Sequence, residues 1–307
     1  MIYTCTLNPS LDYYMEFKQV IEEKKTNRSQ LEYYEAGGKG INVSIVLSNL
    51  MIPSRAFGFL GGFTKDFYIS LLEKYEYLQP AFTYINGHTR INVKASTDRS
   101  NVDLNSAGPT ITPEDMKHLK SRVDRLDEND IFVYSGNTPD YLQRSAEELI
   151  DICSNNKVRV VLDTNAALIE RCLQHQPYLV CPSVEDLEIM VGSACDTEEK
   201  IIAAAAKCVE WGAKNVMVYR GESPAIMAVE NKVYRVQPIK KDGVLLDTVG
   251  TQDAMVAGFV MSSLRTPNVV ECFRYANCCK EATIFSKSLE IRDRINELYD
   301  ELTVEEV

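Results

Sequence analysis

Hydrophobic residues in this chain fall into short runs separated by longer amphipathic stretches. The short runs are rich in β-branched or aromatic residues and end at Gly, Pro, Asn or Asp, which is typical of buried strands. They cover Met1 to Leu7, Ser54 to Leu60, Ile131 to Ser135, Val158 to Leu162, Tyr178 to Cys181 and Asn215 to Tyr219. The longer stretches have helical spacing and cover Ile41 to Leu50, Pro139 to Cys153, Ser183 to Val191, Glu198 to Trp211 and Ala254 to Leu264. This alternation predicts an α/β fold: a doubly wound, mainly parallel sheet with helices on both faces.

Two segments interrupt the alternation. Residues 12–35 and 84–107 are polar, and patches such as Thr89 to Ala95 alternate with a period of two. The pattern predicts strands of a second, smaller sheet with one wet face. We expect residues 1–307 to form a single domain with a β lid inserted from about 12–35 and 84–107.

Composition narrows the class of protein. The chain has 307 residues, of which 45% are hydrophobic and 25% charged, enough for a sizeable core. Its formal net charge of -11 disfavours nucleic acid and anionic membranes as partners, although a few local cations can still bind a small anion. No basic leader or long apolar run is present, the nine cysteines are scattered and the three histidines are dispersed. We therefore expect a reduced, cytoplasmic protein without a targeting or membrane segment.

The first candidate site is the run from Ala36 to Asn42, which leads into a predicted helix. Its three glycines allow close backbone approach, the helix start presents free amides, and Lys39 adds a charge, as a sugar hydroxyl or phosphate would require. A tight turn before a helix is the plainer interpretation, but it needs fewer glycines. A Walker loop is excluded because Gly40 follows Lys39, and a dinucleotide fingerprint because the first strand ends in Asn8-Pro9-Ser10.

The second candidate site runs from Asp247 to Asp253 at the start of another predicted helix. Backbone amides of residues 250–253 could stabilise the charge that develops on a transferring phosphoryl group, and Asp253 could accept the proton of an attacking hydroxyl. An acidic residue in a first helical turn is also an ordinary complement to the helix dipole. The residues alone leave both interpretations open.

The third candidate pairs Asp12 with Arg90, one in each lid segment. A carboxylate accepts hydrogen bonds from sugar hydroxyls, and a guanidinium holds phosphate in a fork. Arg28 is a second candidate for phosphate. Taken singly, each is more often a surface charge.

Read in order, these motifs resemble the PfkB family of ribokinase-like carbohydrate kinases, closest to its 1-phosphofructokinase and tagatose-6-phosphate kinase branch. The matching segments are Thr6 to Asp12, Gly37 to Val43, Gly58 to Gly62, Thr89 to Val93, Leu162 to Thr164, and Thr248 to Gly250 with Asp253. Their agreement in collinear order is more specific than any one of them.

The resemblance implies a ribokinase-like fold whose β lid closes over the sugar and pairs two subunits in a homodimer. The residues implied to bind sugar hydroxyls are Asp12, Gly37, Gly38 and Asn42, and those implied to hold the substrate's phosphate are Lys39, Arg90 and Arg28. Asp253 is implied as the base, with Gly250, Thr251 and Gln252 beside it. The phosphoryl group would then move in line from ATP bound with Mg²⁺.

The sequence departs from the family pattern where the nucleotide is expected. The usual Gly-Ala-Gly-Asp is Gly250 to Asp253, with Gln252 in place of the second glycine, and the usual Asn-x-x-Glu is Ser183 to Asp186. The residues implied for nucleotide binding are Ser183, Asp186, Tyr219, Gly221 and Gly250, and those implied for Mg²⁺ are Asp186 and Glu185. The sugar side is therefore better preserved than the nucleotide side.

These observations favour an ATP-dependent kinase that phosphorylates a hydroxyl of a phosphorylated ketohexose, of the fructose 1-phosphate or tagatose 6-phosphate type. The implied partners are a small sugar phosphate and ATP, without nucleic acid or membrane. The altered nucleotide motifs keep one alternative open, a non-catalytic relative that binds sugar phosphate or nucleotide as a sensor or regulator. A Rossmann-type dehydrogenase is a third, weaker hypothesis.

Overall fold

The computed structural model describes residues 1–97, 99–239, 250–284, 289 and 291–307. The strands are β1 (Ile2–Thr6), β2 (Ser10–Glu16), β3 (Leu31–Gly37), β4 (Ser54–Gly61), β5 (Leu78–Pro80), β6 (Thr83–Ile85), β7 (Arg90–Ser96), β8 (Asn101–Leu104), β9 (Ile131–Ser135), β10 (Arg159–Asp163), β11 (Leu179–Val180), β12 (Asn215–Val218), β13 (Ala225–Val229), β14 (Lys232–Val236) and β15 (Val304–Glu306). The helices are α1 (Lys39–Asn49), α2 (Thr64–Leu72), α3 (Pro113–Val123), α4 (Gln143–Asn155), α5 (Ala166–Cys172), α6 (Val184–Val191), α7 (Glu198–Glu210), α8 (Thr251–Ser263), α9 (Val269–Ile284) and α10 (Arg292–Tyr299).

Eleven of the strands form one large sheet. Its central strands run β12-β11-β10-β9-β1-β4-β5, all parallel, and β6 also pairs with β4. At one edge, β13, β14 and β15 continue the sheet in antiparallel pairing. The predicted doubly wound, mainly parallel α/β sheet is confirmed; the antiparallel edge was not predicted.

Helices cover both faces of the large sheet, because its strands are buried on both sides. One hydrophobic cluster packs α3 to α7 on one face, and a second packs α1, α8, α9 and α10 on the other. Helix α8 is buried almost all the way round, as expected for a helix enclosed by the core. None of the helices in the described ranges combines the length and apolar character needed to cross a bilayer.

The second sheet lies apart from the first and has the order β3-β2-β7-β8. Strands β2 and β7 are parallel, while β2 pairs with β3 and β7 with β8 in antiparallel fashion. Strand β8 is exposed along its whole length and β3 along most of it. The predicted smaller sheet from segments 12–35 and 84–107 is therefore present, whereas its action as a lid remains a prediction.

The amphipathic stretches predicted as helices are helices, with small changes at their ends. The stretch Pro139 to Cys153 starts with a single 3-10 turn at Asp140–Leu142, and the α-helix follows from Gln143. At α6 the start is fixed by a capping box, in which Ser183 accepts from the amide of Asp186 and the Asp186 carboxylate accepts from the amide of Ser183.

Candidate active site

A cleft of about 520 Å³ opens where the parallel strands of the large sheet end. The carboxyl ends of β1, β9 and β10 meet at this edge, together with the first residues of α1, α6 and α8. In open α/β sheets this edge is where ligands bind. The polar residues lining the cleft include Thr6, Asn8, Lys39, Arg90, Asn137, Thr138, Asp163, Thr164, Asn165, Ser183, Asp186 and Gln252.

The floor of the cleft is organised around Asp163, the last residue of β10. Lys39 Nζ and Gln252 Nε2 each donate to Asp163 Oδ1 at 2.8 Å. Gln252 also donates to the carbonyl of Cys181 at 3.3 Å. The Asp163 side chain is buried, and its Oδ2 has no hydrogen-bond partner among the described residues. This carboxylate therefore joins the starts of α1 and α8 to the sheet.

Lys39 keeps its positive charge in this setting. Burial lowers the pKa of its ammonium, but the carboxylates of Asp163 and Asp253, with the hydrogen bond to Asp163, raise it above its ordinary value. About 41% of the side chain is nevertheless accessible to solvent. A permanent cation that is partly open to the cleft suits an anionic ligand group.

Asp253 lies in the first turn of α8, only 3% exposed. Its Oδ2 accepts from Asn42 Nδ2 at 2.8 Å, while its buried Oδ1 has no hydrogen-bond partner in the part of the chain that the structure describes. Burial, aided by the negative charge of Asp163, raises the pKa of Asp253 to about 7, against the lowering effects of Lys39 and Asn42. A carboxyl group of this kind can take up or release a proton near neutral pH.

The second sheet brings Asp12 and Arg90 to neighbouring strands above the cleft. Asp12 accepts from Ser10 Oγ at 2.7 Å and from Asn92 Nδ2 at 3.0 Å. Burial raises its pKa, while those hydrogen bonds and the cations Lys94 and Arg90 oppose the shift. A Cβ atom at Gly37 would lie 2.2 Å from Asp12 Oδ2, so glycine is required there.

Arg90 is half-buried and lines the cleft. Its Nε donates to the carbonyl of Asn8 at 3.2 Å, and one terminal nitrogen donates to the carbonyl of Ser106 at 3.4 Å. Burial lowers the pKa of this guanidinium, although nearby Asp12 and Tyr68 work in the opposite direction. The remaining donors of the guanidinium are available to an anion.

Gly250 forms the N-cap of α8 in a left-handed conformation, with φ of 72°. Thr251, directly after it, is buried, and its hydroxyl is close enough to Tyr219 to lower the pKa of that phenol, which burial otherwise raises. The start of α8 therefore lies beside Tyr219. Residues 247–249 of the second predicted motif lie outside the described residues.

Ser183 and Asp186 line the cleft, but their hydrogen bonds stabilise the starts of α5 and α6. Asp186 Oδ2 accepts from Ser183 in the capping box, and Asp186 Oδ1 accepts from the amide of Ala166 at 2.8 Å. Within the described ranges, no group of three or more His, Cys, Asp or Glu side chains is arranged to hold a metal ion. Only Asp186 of the two predicted metal ligands reaches the cleft, because Glu185 is exposed outside it.

Two further predicted residues lie away from the cleft. Arg28 is exposed in the connection between β2 and β3. Gly221 has φ of 60° in a turn after β12, with open space around it. Neither lines the cavity.

Sequence reasoning gave no role to Asp163 or to the turns that follow β9 and β10. Asp163 belongs to one of the family motifs, and its carboxylate accepts from two of the candidate residues, Lys39 and Gln252. Next to it, the hydroxyls of Tyr134, Thr138 and Thr164 form a network that ends on the carbonyl of Gly136, whose amide donates to the carbonyl of Asp163. The sequence signal that could identify these residues is their position directly after buried parallel strands, because such polar residues gather at the ligand-binding edge of the sheet.

Comparison with known proteins identifies the class to which this fold and site belong. The family model for pfkB family carbohydrate kinases matches residues 6–292. The chain therefore belongs to the pfkB family of carbohydrate kinases, which confirms the resemblance that its motifs indicated. It is a kinase, a phosphotransferase with an alcohol group as acceptor.

Within that family, the chain is similar to 1-phosphofructokinases. It is 35% identical over 305 residues to the 1-phosphofructokinase of Bacillus subtilis, covering 99% of each chain. It is 30% identical to the D-tagatose-1-phosphate kinase of Bacillus licheniformis, over 94% of each chain. Among solved structures, a protein of Thermotoga maritima described as a possible 1-phosphofructokinase has a TM-score of 0.88 at 27% identity, over 100% of this chain and 99% of its own. The tetrameric inhibited form of phosphofructokinase-2 from Escherichia coli has a TM-score of 0.88 at 24% identity, over 98% of each chain, which shows the fold alone.

Proposed function

We propose that this carbohydrate kinase transfers the γ-phosphate of ATP to a hydroxyl of a ketohexose phosphate, with fructose 1-phosphate as the first candidate. The observation that supports this most is the state of Asp253. It is buried, burial raises its pKa, and one of its oxygens lacks a hydrogen-bond partner among the described residues. A base with those properties at the start of a helix is suited to activate a hydroxyl for phosphoryl transfer.

The sugar would bind between the second sheet and the start of α1. Asp12 and Asn42 would contact the sugar hydroxyls, and the backbone at Gly37 and Gly38 would let the ring come close. Lys39 would hold the substrate's phosphate together with Arg90, because both are cations that line the cleft. The same polar groups would hold the acceptor hydroxyl against Asp253.

The donor's phosphates would lie at the amino end of α8. The amides of residues 250–253 point out of the helix start, and the dipole favours negative charge there. As charge develops on the transferring group, these amides would stabilise it. The nucleoside would extend toward Tyr219 and Gly221, on the side away from the sugar.

Gln252 is the departure from the family pattern that bears most on this proposal. Its amide is engaged with Asp163 and the carbonyl of Cys181, rather than lying free over the helix start. That arrangement engages the Gln252 side chain with the residues at the ends of β10 and β11 instead of the donor's phosphates. It favours an active kinase over the non-catalytic sensor that the altered motif raised as an alternative.

Mg²⁺ fits this site as an ion held mainly by phosphates and water. The unpartnered Oδ2 of Asp163 and the carboxylate of Asp186 are the described oxygen ligands in the cleft, and one or two carboxylates suffice for Mg²⁺ bound to a nucleotide. When bound, the ion would neutralise charge on the donor's phosphates. Glu185, exposed outside the cleft, is the weaker of the two predicted ligands.

The second sheet would act both as a lid and as a dimer interface. Its outer strands expose apolar side chains, among them Leu31 at 49% and Leu104 at 58%. Exposed edge strands of this kind favour pairing with another chain. Arg28 would reach the substrate phosphate only if this sheet closed over the cleft. Light scattering of the wild type against Leu104→Lys tests the homodimer, which the lysine should weaken.

The choice of a 1-phosphate rests on similarity. Two relatives that cover nearly the whole chain are named for ketohexose 1-phosphate chemistry, 1-phosphofructokinase and D-tagatose-1-phosphate kinase. Tagatose 6-phosphate, expected beside fructose 1-phosphate from the motifs, is then the less favoured sugar.

The experiment is an ADP-release assay with ATP and Mg²⁺ on a panel of fructose 1-phosphate, tagatose 1-phosphate, tagatose 6-phosphate, fructose 6-phosphate and the unphosphorylated ketoses. We expect turnover on a ketohexose phosphate and little on the free sugars, because Lys39 and Arg90 would lack their anion. Silence across the panel, with sugar-phosphate binding still visible by thermal shift, would establish the sensor instead.

A further inference from the structure

A second cavity lies on the edge of the large sheet opposite the cleft. It encloses about 240 Å³ at the amino ends of β10, β11 and β12. Its lining includes Lys157, Arg159, His175, Tyr178 and Lys214, and we call it the basic cavity. The lining contains no Asp or Glu.

The cations of the basic cavity have few counter-charges. Within the part of the chain that the structure describes, no carboxylate lies within 4.0 Å of the charged groups of Lys157, Arg159 or Lys214. The acids near it in the described ranges include Asp151, whose Oδ1 lies 3.6 Å from His175 Nδ1, and Asp127 and Glu128, which line a neighbouring cavity together with Lys157. Around one concavity, three cations without an ion-pair partner in those ranges favour a small anion.

Arg159 lines this cavity, and two neighbouring residues hold its side chain in place. Its guanidinium lies 5.7 Å from the ring centroid of Tyr178, and one terminal nitrogen donates to the carbonyl of Ser263 at 3.5 Å. A guanidinium has five N–H donors, so most remain for a ligand. Holding the side chain in place reduces the entropy that binding would otherwise cost.

We propose that the basic cavity is a second binding site, for inorganic phosphate or the phosphate group of a small metabolite. Arg159 supplies the planar guanidinium that matches phosphate geometry, and Lys157 and Lys214 add two exposed ammonium groups to the lining. Nucleic acid is a poor fit, because the surrounding protein is acidic.

This site is separate from the cleft. Arg159 and Asp163 are the first and last residues of β10, and four strand steps of roughly 3.3 Å place their Cα atoms about 13 Å apart. A phosphate at Arg159 would not reach Asp253 or the acceptor hydroxyl. The inference does not depend on the proposed substrate, since it concerns binding on the opposite edge of the sheet.

The test is isothermal titration with inorganic phosphate on the full chain. The variant Lys157→Gln/Lys214→Gln removes two exposed charges at the basic cavity, and Lys117→Gln/Lys207→Gln removes two exposed charges elsewhere as the matched control. We expect the wild type and the control to bind one phosphate more than the cavity variant, or to bind it at least tenfold more tightly.

Thermal unfolding of all three proteins shows whether each one is folded. A folded cavity variant that binds one phosphate fewer than the wild type supports the site directly. Equal stoichiometry and affinity in the three proteins would overturn the proposal. Equal losses of phosphate binding in the cavity variant and in the control would also overturn it, because phosphate binding would then depend only on the overall charge of the protein.

Discussion

Asn42 donates to Asp253 across 2.8 Å and so ties the first turn of α1 to the first turn of α8. These two turns carry the sugar-side and donor-side motifs, which are about two hundred residues apart in the sequence. The hydrogen bond stabilises the charged form of the Asp253 carboxylate, which burial disfavours. The acceptor site and the proposed base therefore share one structural unit.

Replacing Asn42 by alanine should raise the pKa of Asp253 further, because the hydrogen bond that lowers it is lost. Hydrogen bonds to charged groups contribute about 1.5–3 kcal/mol, so we expect kcat/KM at neutral pH to fall by roughly 10- to 100-fold. The acidic limb of the pH profile of kcat/KM should move to higher pH. An unchanged limb would mean that Asn42 does not interact with the group that titrates.

Replacing Asp163 by asparagine should move the acidic limb of the pH profile of kcat/KM to lower pH. The negative charge of Asp163 raises the pKa of Asp253, so removing it lowers that pKa and extends activity to lower pH. The level of kcat should fall, because Lys39 loses the carboxylate that positions it. The exposed Glu185→Gln change is the matched control and should leave the profile in place. A limb that moves to higher pH in Asp163→Asn would contradict this account of the site.

The Gln252→Gly change tests whether the altered donor motif limits the reaction. Because the Gln252 amide binds Asp163 rather than standing free, we expect kcat to stay within about threefold of wild type or to rise. The comparison variant Gln252→Glu places a like charge beside Asp163 and should reduce kcat strongly. A more than tenfold loss in Gln252→Gly would show instead that the side chain contacts the donor.

The adjacent residues Lys280 and Glu281 form a fully buried ion pair on α9, with 2.9 Å between Nζ and Oε1. Removing one partner leaves a buried charge, so Lys280→Met should lower the free energy of unfolding by about 3–5 kcal/mol. Replacing both, as in Lys280→Met/Glu281→Leu, should restore most of that loss. Urea unfolding of the three proteins measures the difference, and additive losses in the double variant would contradict it.

The sequence predicted the large sheet and its helices well, because buried parallel strands give continuous apolar runs and their helices give clear periodicity. It also predicted the second sheet, from its polar alternation. It did not predict the antiparallel strands β13 to β15. Strands β13 and β14 form a local hairpin, with Val229 opposite Lys232, whereas β15, at the end of the chain, pairs with β14 over a long sequence separation.

Within the site, the glycine motifs and Asp253 could be predicted because turns before helices leave a local signature. Asp163 could not be assigned a role, because its partners Lys39 and Gln252 lie 124 and 89 residues away in the sequence. The same holds for the hydrogen bonds of Asp186. Its role toward Mg²⁺ stays a prediction, but its carboxylate also caps α6 and binds the start of α5. Only the folded arrangement shows those contacts.

The most direct test of the central claim is to compare Asp253→Asn with the wild type in both turnover and sugar-phosphate affinity. The amide keeps the size of the carboxyl group but cannot accept the proton, so we expect kcat to fall by about 10²–10⁴ while the Kd for the ketohexose phosphate stays within a few-fold. If Asp253→Asn keeps most of its rate, Asp253 is not the base, and the proposed mechanism is wrong.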